Sequence, residues 1–436
     1  MGTKMKILLI NAFDNGGGAA ISCLRLTTEL NRHGVFARLG VPEKKSVSPY
    51  VFELPKKKTQ FSVKIARKFA AYFGKVFSPF TKHFKRKFIT TNRIFHSTNF
   101  FSETDVEWIN DSDFDVVNLH WINGAICNKD IAKIRKPIVW TMHDSWPCCG
   151  AEHHPNIAEG DTRWKEGYFS GNKPKTTSGI DLCRKVWNQK KKYFSDLDVS
   201  FVAPSNWECD ILKSSALFGK KKCTVIPNII PKDEFYMRNK NYVKELFNIP
   251  KDKIIIGFGA AYNIDDPKSM KGSHYLIDAL KKLAHPENYF IILFGPAGGA
   301  FTSQVSIQYF DSGYISNTNI LASLYSACDC IINPSLIENL STICLEAVFC
   351  SVPVAAFDVG GTGDIVQHKF NGYLAKPYDS SDLANGIVYC TEHYGELSEN
   401  CAQVARRFDT DEIIKKYYDV YEYALNNSIV QKTGLA

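Results

Sequence analysis

The chain has 436 residues, 44% of them hydrophobic and 22% charged, which leaves room for two or three domains of roughly 100 to 200 residues and excludes fibrous and disordered classes. No apolar run approaches the roughly 18 residues of a membrane-spanning helix. The first, residues 7–10, stops at Asn11, so neither an export signal nor a span is expected. The net charge of +8 is concentrated: between Glu53 and Glu103 lie twelve lysines and arginines and no acidic residue, so the rest of the chain is net acidic.

In chain order, residues 6–10 predict a buried parallel strand, Gly16-Gly17-Gly18 a loop, and residues 19–30 a helix. Gly16, Gly17 and Gly18 allow a ligand close to the backbone at a helix start, as a phosphate or acceptor loop requires, although a glycine run also serves as a simple turn. The GxGxxG spacing of a dinucleotide site is not found. A second strand is expected at residues 35–39. The basic segment, residues 56–93, interleaves its cations with Phe61, Phe69, Tyr72, Phe73, Phe77, Phe80, Phe84 and Phe88. Two readings stay open: a surface that meets anionic lipid headgroups and inserts rings, or an amphipathic helix packing its rings inward with a solvated basic face. No recognised nucleic-acid-binding motif accompanies the charge, so nucleic acid is not expected as a partner.

Strands follow at residues 116–119, 138–142 and 199–203, giving a β/α alternation with a long loop at residues 150–185. His120 and Trp121 follow one strand and His143-Asp144 another, at the edge where open α/β sheets bind ligands. Cys148 and Cys149 have His143, His153 and His154 nearby, but the spacing matches no usual zinc pattern. The thirteen cysteines, an odd number without a CxxC pair, read as reduced thiols of a cytoplasmic protein.

Two prolines, Pro227 and Pro231, punctuate the chain before the alternation restarts. Strands are expected at residues 253–258, 290–294, 330–334 and 352–357, and helices at 272–283, 320–327 and 342–349. The helix after Ser341 carries Glu346 as the sole polar residue of residues 343–349, so it is expected to be buried with its carboxylate partnered. Its N-terminus, just after Glu338, offers free N–H groups and a positive dipole end to a diphosphate, with Leu340, Ser341 and Thr342 beside it. Lys271, between a strand and a helix, is placed to neutralise a departing diphosphate. A last helix with a tyrosine-rich face is expected at residues 411–425.

Glu338 and Glu346 resemble the E-x7-E motif of the GT-B retaining glycosyltransferases of family 4, also called glycosyl transferases group 1. Glu346-Ala347, Pro353-Val354, Gly360-Gly361 and Asn371-Gly372 fall where that family has its EA, PV, GG and NG signals. The resemblance covers residues 5 to 410 and implies an α/β chain of GT-B fold, two Rossmann-like domains facing across a cleft. Residues 1–215 would bind the acceptor, 216–410 the nucleotide-sugar, and the helix in 411–436 would pack back on the first domain. It implies ribose binding by Glu346, Glu338 facing the sugar, His143 contacting the sugar, and Lys271 on the diphosphate. Two departures stand out: Ser341 where the family often has Gly, and no Arg before Lys271-Gly272, where Lys268 is the candidate replacement. The implied reaction transfers a sugar with retention to a saccharide or lipid-linked acceptor, in surface polysaccharide or glycoconjugate synthesis, on the cytoplasmic side. Lysines and the helix dipole stand in for a divalent metal, so no cofactor is expected. The alternatives are a sugar-nucleotide epimerase on the same fold and a GT-B subunit that has lost activity and only binds a carbohydrate or partner. Release of nucleoside diphosphate only when acceptor is added separates transfer from both.

If residues 56–93 form a membrane surface, flotation with anionic vesicles is expected to weaken as salt rises. Changing Lys82, Lys85, Arg86 and Lys87 to Ser is expected to abolish it. Equal flotation by that variant selects the packed-helix reading.

Overall fold

After Lys6, the strand Lys6–Ile10 (β1) has only apolar side chains, and all four are inaccessible to solvent, as a central parallel strand covered on both faces requires. The structure is a computed structural model that describes residues 5–57, 96–157, 160–175, 179–259, 269–295 and 299–433. The basic aromatic segment beyond Lys57 and Lys268 lie outside the described residues.

The strands following β1 are Phe36–Val41 (β2), Val51–Glu53 (β3), Val116–Leu119 (β4), Ile138–Thr141 (β5), Val199–Ala203 (β6) and Cys223–Val225 (β7). They form one parallel sheet in the order β3-β2-β1-β4-β5-β6-β7. A second sheet, also parallel, contains Ile254–Gly259 (β8), Tyr289–Phe294 (β9), Tyr309–Asp311 (β10), Cys330–Asn333 (β11), Val354–Phe357 (β12) and Gly372–Ala375 (β13). Its order is β10-β9-β8-β11-β12-β13. The strand order therefore reverses between β1 and β4 and again between β8 and β11, the switch points at which such sheets bind ligands beyond their carboxyl ends. The α/β class and the two Rossmann-like sheets agree with the sequence reading.

The chain divides into two compact units: Met1–Ala203 with Glu208–Val225 and Lys416–Ala436, and Pro204–Trp207 with Ile226–Lys415. The main boundary falls after Val225 rather than at residue 215, because β7 still pairs with β6 as the last strand of the first sheet. In the second unit, successive strand residues feed opposite cores. Ile255, Ile331 and Val354 pack on one face, and Ile256, Ile332 and Ala355 on the other, the alternation expected of a pleated strand.

The loop expected over residues 150–185 is more ordered than predicted. Trp164 and Tyr168 are buried within it, and helix Leu182–Phe194 begins before it ends, capped by Asp181 accepting from the Arg184 N–H at 3.0 Å. The final helix, Thr410–Thr433, is 24 residues long, and its portion from Lys416 belongs to the first unit.

That portion supplies a partner to the middle of the first sheet. Asn118 of β4 is inaccessible; its amide donates to the Tyr421 hydroxyl at 2.7 Å, and its oxygen accepts from the Thr141 hydroxyl at 3.1 Å. Tyr421→Phe leaves the Asn118 amide short of an acceptor and is expected to cost about 1–3 kcal/mol. The measurement is a lower urea midpoint at unchanged slope. Tyr418→Phe, at an exposed position of the same helix, is expected to stay within ~0.5 kcal/mol.

Candidate active site

In the second unit the chain leaves β11 at Asn333 and enters a loop that leads to helix Thr342–Phe349. Glu338 on this loop accepts from the Lys271 ammonium at 2.6 Å, and the Ser335 hydroxyl lies 2.7 Å from the same carboxylate oxygen. Lys271 is the more exposed partner, with 41% of its side chain accessible against 15% for Glu338, so the cation has a face left for an anion. The Lys271–Glu338 pair joins the segment after β8 to the loop after β11, across the switch point of this sheet.

Backbone contacts hold the loop on both sides. The Leu336 N–H donates to the Met270 carbonyl at 2.8 Å, and the Gly361 N–H donates to the Glu338 carbonyl at 2.9 Å. Gly272 and Gly360 have φ of 65° and 57°. A Cβ at either would overlap a carbonyl oxygen of the loop, Pro334 O and Glu338 O respectively. Below the loop, the Ser205 hydroxyl donates to Asn339 at 2.9 Å.

Helix Thr342–Phe349 is buried from Cys344 to Val348. Glu346 is 4% exposed and accepts from the Tyr325 hydroxyl at 3.1 Å, which answers the need for a partner argued from its apolar surroundings. Burial and the neighbouring Glu346 carboxylate push the Tyr325 phenol well above its ordinary pKa, so it stays a donor. Two of the expected donor-site side chains are otherwise engaged. Leu340 packs into the core, and Ser341 is the helix cap, its oxygen accepting from the Cys344 N–H. Their backbone and Thr342 are what this turn has left to present to a ligand.

In the first unit, Gly16 and Gly17 lie in the left-handed φ range at 70° and 76°, and the helix starts at Gly18. His120 and His143, from the loops after β4 and β5, meet directly: His120 Nδ1 is 2.9 Å from His143 Nε2. Burial drives both below the ordinary histidine range, His143 to about 4 despite the opposing pull of Asp144, and His120 with His143 adding to its shift. Both are neutral at pH 7, and a single N–H lies between them. A cavity of about 10 Å³, lined by His120, Asn123, His143 and Asp144 among others, borders this pair and is large enough for one water.

Asp144 is the hub behind it. Burial raises its pKa, but His153 and the Trp146 N–H outweigh that and bring it to about 2. It accepts from the Trp121 indole N–H at 2.7 Å and from the His153 imidazole, whose other nitrogen is 2.8 Å from the Ser97 hydroxyl. Lys190, wholly buried, donates to the carbonyls of Trp146, Cys149 and Gly150 and so ties down the same loop. Cys148 and Cys149 are buried thiols, and burial raises both well above the thiol range. Among the described residues no cluster of three or more His, Cys, Asp or Glu side chains is arranged to hold a metal.

Sequence reasoning missed Tyr325, Ser335 and Lys190, and it weighed His153 only as a zinc candidate beside Cys148 and Cys149, not as the partner of Asp144. Nothing in the local pattern around Tyr325 and Ser335 sets them apart, and Lys190 belongs to a lysine-rich helix whose pattern marks it as surface.

Two family models cover most of the chain: Glycosyl transferases group 1 over residues 247–408 and Glycosyltransferase Family 4 over residues 16–234. The chain belongs to this glycosyltransferase family. Among curated proteins it is 24% identical over 329 residues to the D-inositol 3-phosphate glycosyltransferase of Xylanimonas cellulosilytica, covering 71% of this chain and 72% of that one. It is 23% identical over 260 residues to an N,N'-diacetylbacillosaminyl-diphospho-undecaprenol alpha-1,3-N-acetylgalactosaminyltransferase of Campylobacter jejuni, covering 57% and 66%. Among solved structures, Anabaena HepE in complex with UDP and glucose superposes with a TM-score of 0.63 at 18% identity, over 96% of this chain and all of that one. The glycosyltransferase is of the GT-B type, a class that acts on sugar-nucleotide donors.

The glycine contacts make a direct test of the Glu338 loop. Gly360→Ala must displace the Glu338 carbonyl and is expected to lower kcat/KM by ~10²-fold or more with the fold retained by circular dichroism. Gly363→Ala, whose Cβ would meet nothing nearer than 3.8 Å, is expected to stay within about threefold of the parent, as an unstrained surface change should.

Proposed function

We propose that the chain is a retaining glycosyltransferase that moves a hexosyl group from a nucleotide-sugar to a saccharide or lipid-linked acceptor, in surface polysaccharide or glycoconjugate synthesis. The second unit holds the donor and the first unit the acceptor. The observation that carries this reading is the Lys271–Glu338 pair beside the start of the helix that bears Glu346. As the bond from the anomeric carbon to the diphosphate breaks, negative charge grows on the leaving phosphate and positive charge on the sugar ring. Lys271 and the N–H groups at residues 340–342 stabilise the first, and the Glu338 carboxylate faces the second. Glu346 receives the ribose hydroxyls, remote from the breaking bond. With a lysine and a helix N-terminus opposite the diphosphate, the reaction needs no divalent metal, and Lys268 adds a second cation.

His143 faces the sugar as a neutral ring, and His120 and Gly16 to Gly18 belong to the acceptor side. The acceptor class is supported by the Campylobacter relative, whose name specifies a diphospho-undecaprenol substrate. No helix among the described residues is long and apolar enough to cross a membrane. In this reading the enzyme reaches a lipid-linked acceptor from the cytoplasmic face through the basic residues of the 56–93 segment, whose excess of cations suits anionic headgroups.

The assay is steady-state release of nucleoside diphosphate with and without acceptor, with the anomeric configuration of the product read by NMR. Release that needs no acceptor, or an inverted product, overturns the reading. In the same assay Glu338→Gln is expected to lower kcat by ~10²-fold or more with a smaller change in KM. Glu346→Gln is expected chiefly to raise the donor KM, because ribose contacts are alike in ground and transition states. The opposite pattern exchanges the two roles.

A further inference from the structure

Phe13 lies on the loop between β1 and the glycine run, and Trp121 on the loop after β4. These are the two neighbouring strands between which the order of the first sheet reverses, so the two rings stand at its switch point, the ligand position of an open parallel sheet. Their planes are 28° apart with centroids at 5.6 Å. Trp121 stacks in turn on His153 at 5.4 Å and 24°. Phe13 ends this stack and is 49% exposed.

A lone exposed phenylalanine is unremarkable on a protein surface. This one is fixed in place by buried polar groups. Asn11, 1% exposed, donates to the Phe13 carbonyl at 2.6 Å and accepts from the Trp121 N–H at 2.8 Å, and so locks the two loops together. The Trp121 indole is held by Asp144, and the His153 ring beneath it by Asp144 and Ser97. Asp14, next to Phe13 and 1% exposed, fixes the loop from the other side by accepting from the Lys45 and Ser46 N–H groups through Oδ2. Its Oδ1 has no hydrogen-bond partner among the described residues.

We propose that the Phe13–Trp121 stack is the platform for a pyranosyl ring of the acceptor. The class follows from the chemistry: a pyranoside presents a face of weakly positive C–H groups to the negative face of an aromatic ring and keeps its hydroxyls at the rim. A ring anchored beforehand loses little freedom on binding, which is what the Asn11 and Asp144 bonds achieve. This assignment rests on the reading that the first unit takes the acceptor.

The test is saturation-transfer NMR on the full chain with methyl β-D-glucopyranoside and methyl β-D-galactopyranoside as probes. Saturation of ring C–H protons of at least one probe is expected. Phe13→Ala is expected to weaken its binding about tenfold, and Phe13→Tyr to retain it. Because Phe13 is half exposed, neither variant should disturb the fold, which the thermal midpoint verifies. Equal binding by Phe13→Ala, or no transfer to either probe from the parent chain, overturns the platform. Thermal shift by UDP and GDP is read on the same samples and reports on the donor side alone. A shift without saccharide binding rejects the platform and leaves the transferase reading standing, whereas Phe13-dependent saccharide binding without a shift supports the platform and rejects only a UDP- or GDP-sugar donor.

Discussion

The loop after β11 passes between two glycine backbones so closely that a single Cβ at Gly272 or Gly360 would overlap its carbonyl oxygens. This contact sets where Glu338 can be. Because the loop is held through its main chain, at Leu336 and at Glu338 itself, and by the side chains of Leu336 and Leu340 packed on the two cores, the carboxylate and its Lys271 partner keep their positions. Preorganised charges of this kind do not have to reorient when charge develops on a substrate, which is the largest electrostatic contribution an enzyme can make. The cost is sequence freedom: glycine is the residue that tolerates both the left-handed φ and the lack of space.

The first unit achieves rigidity by a different route. Its loops after β1, β4 and β5 are joined by buried polar side chains rather than by close backbone contact. Asn11 links the first two, Asp144 links the second to the third, and Lys190 fastens the far end of the third. Burial costs each of these groups, and pulls Lys190 down to about 7. The carbonyl and N–H partners offset that cost only while the loops keep this arrangement. A buried network that is satisfied in one geometry thus specifies that geometry, and it holds the His120–His143 pair and the Phe13 ring in place.

Sequence periodicity located the central strands of both sheets, because a parallel strand covered on both faces must be a continuous apolar run, and with them the first and last helices, but not the long helices Leu182–Phe194, Ser380–Glu392 and Tyr394–Ala405. It missed β3, β7, β10 and β13, which are the four edge strands. Each has three or four residues, and none is fully buried. With one neighbour and partial solvent exposure, an edge strand has no need of an apolar run, so it leaves little trace in the sequence. The long loop misread at residues 150–185 failed for a related reason. Trp164 and Tyr168 anchor it one at a time, without period.

From the sequence alone came the family, the pairing of a helix start with Glu338, and the demand that Glu346 find a partner, since an apolar helix cannot leave a carboxylate unpaired. Which partner it finds was decided by tertiary structure: Tyr325 stands 21 residues away on another helix. The same holds for the His120–His143 contact, the Asn118–Tyr421 bond across 303 residues, and the Phe13–Trp121–His153 stack. Local pattern reports what a segment must bury. The identity of the group it meets depends on strand order and crossovers, which bring together residues that no spacing rule connects.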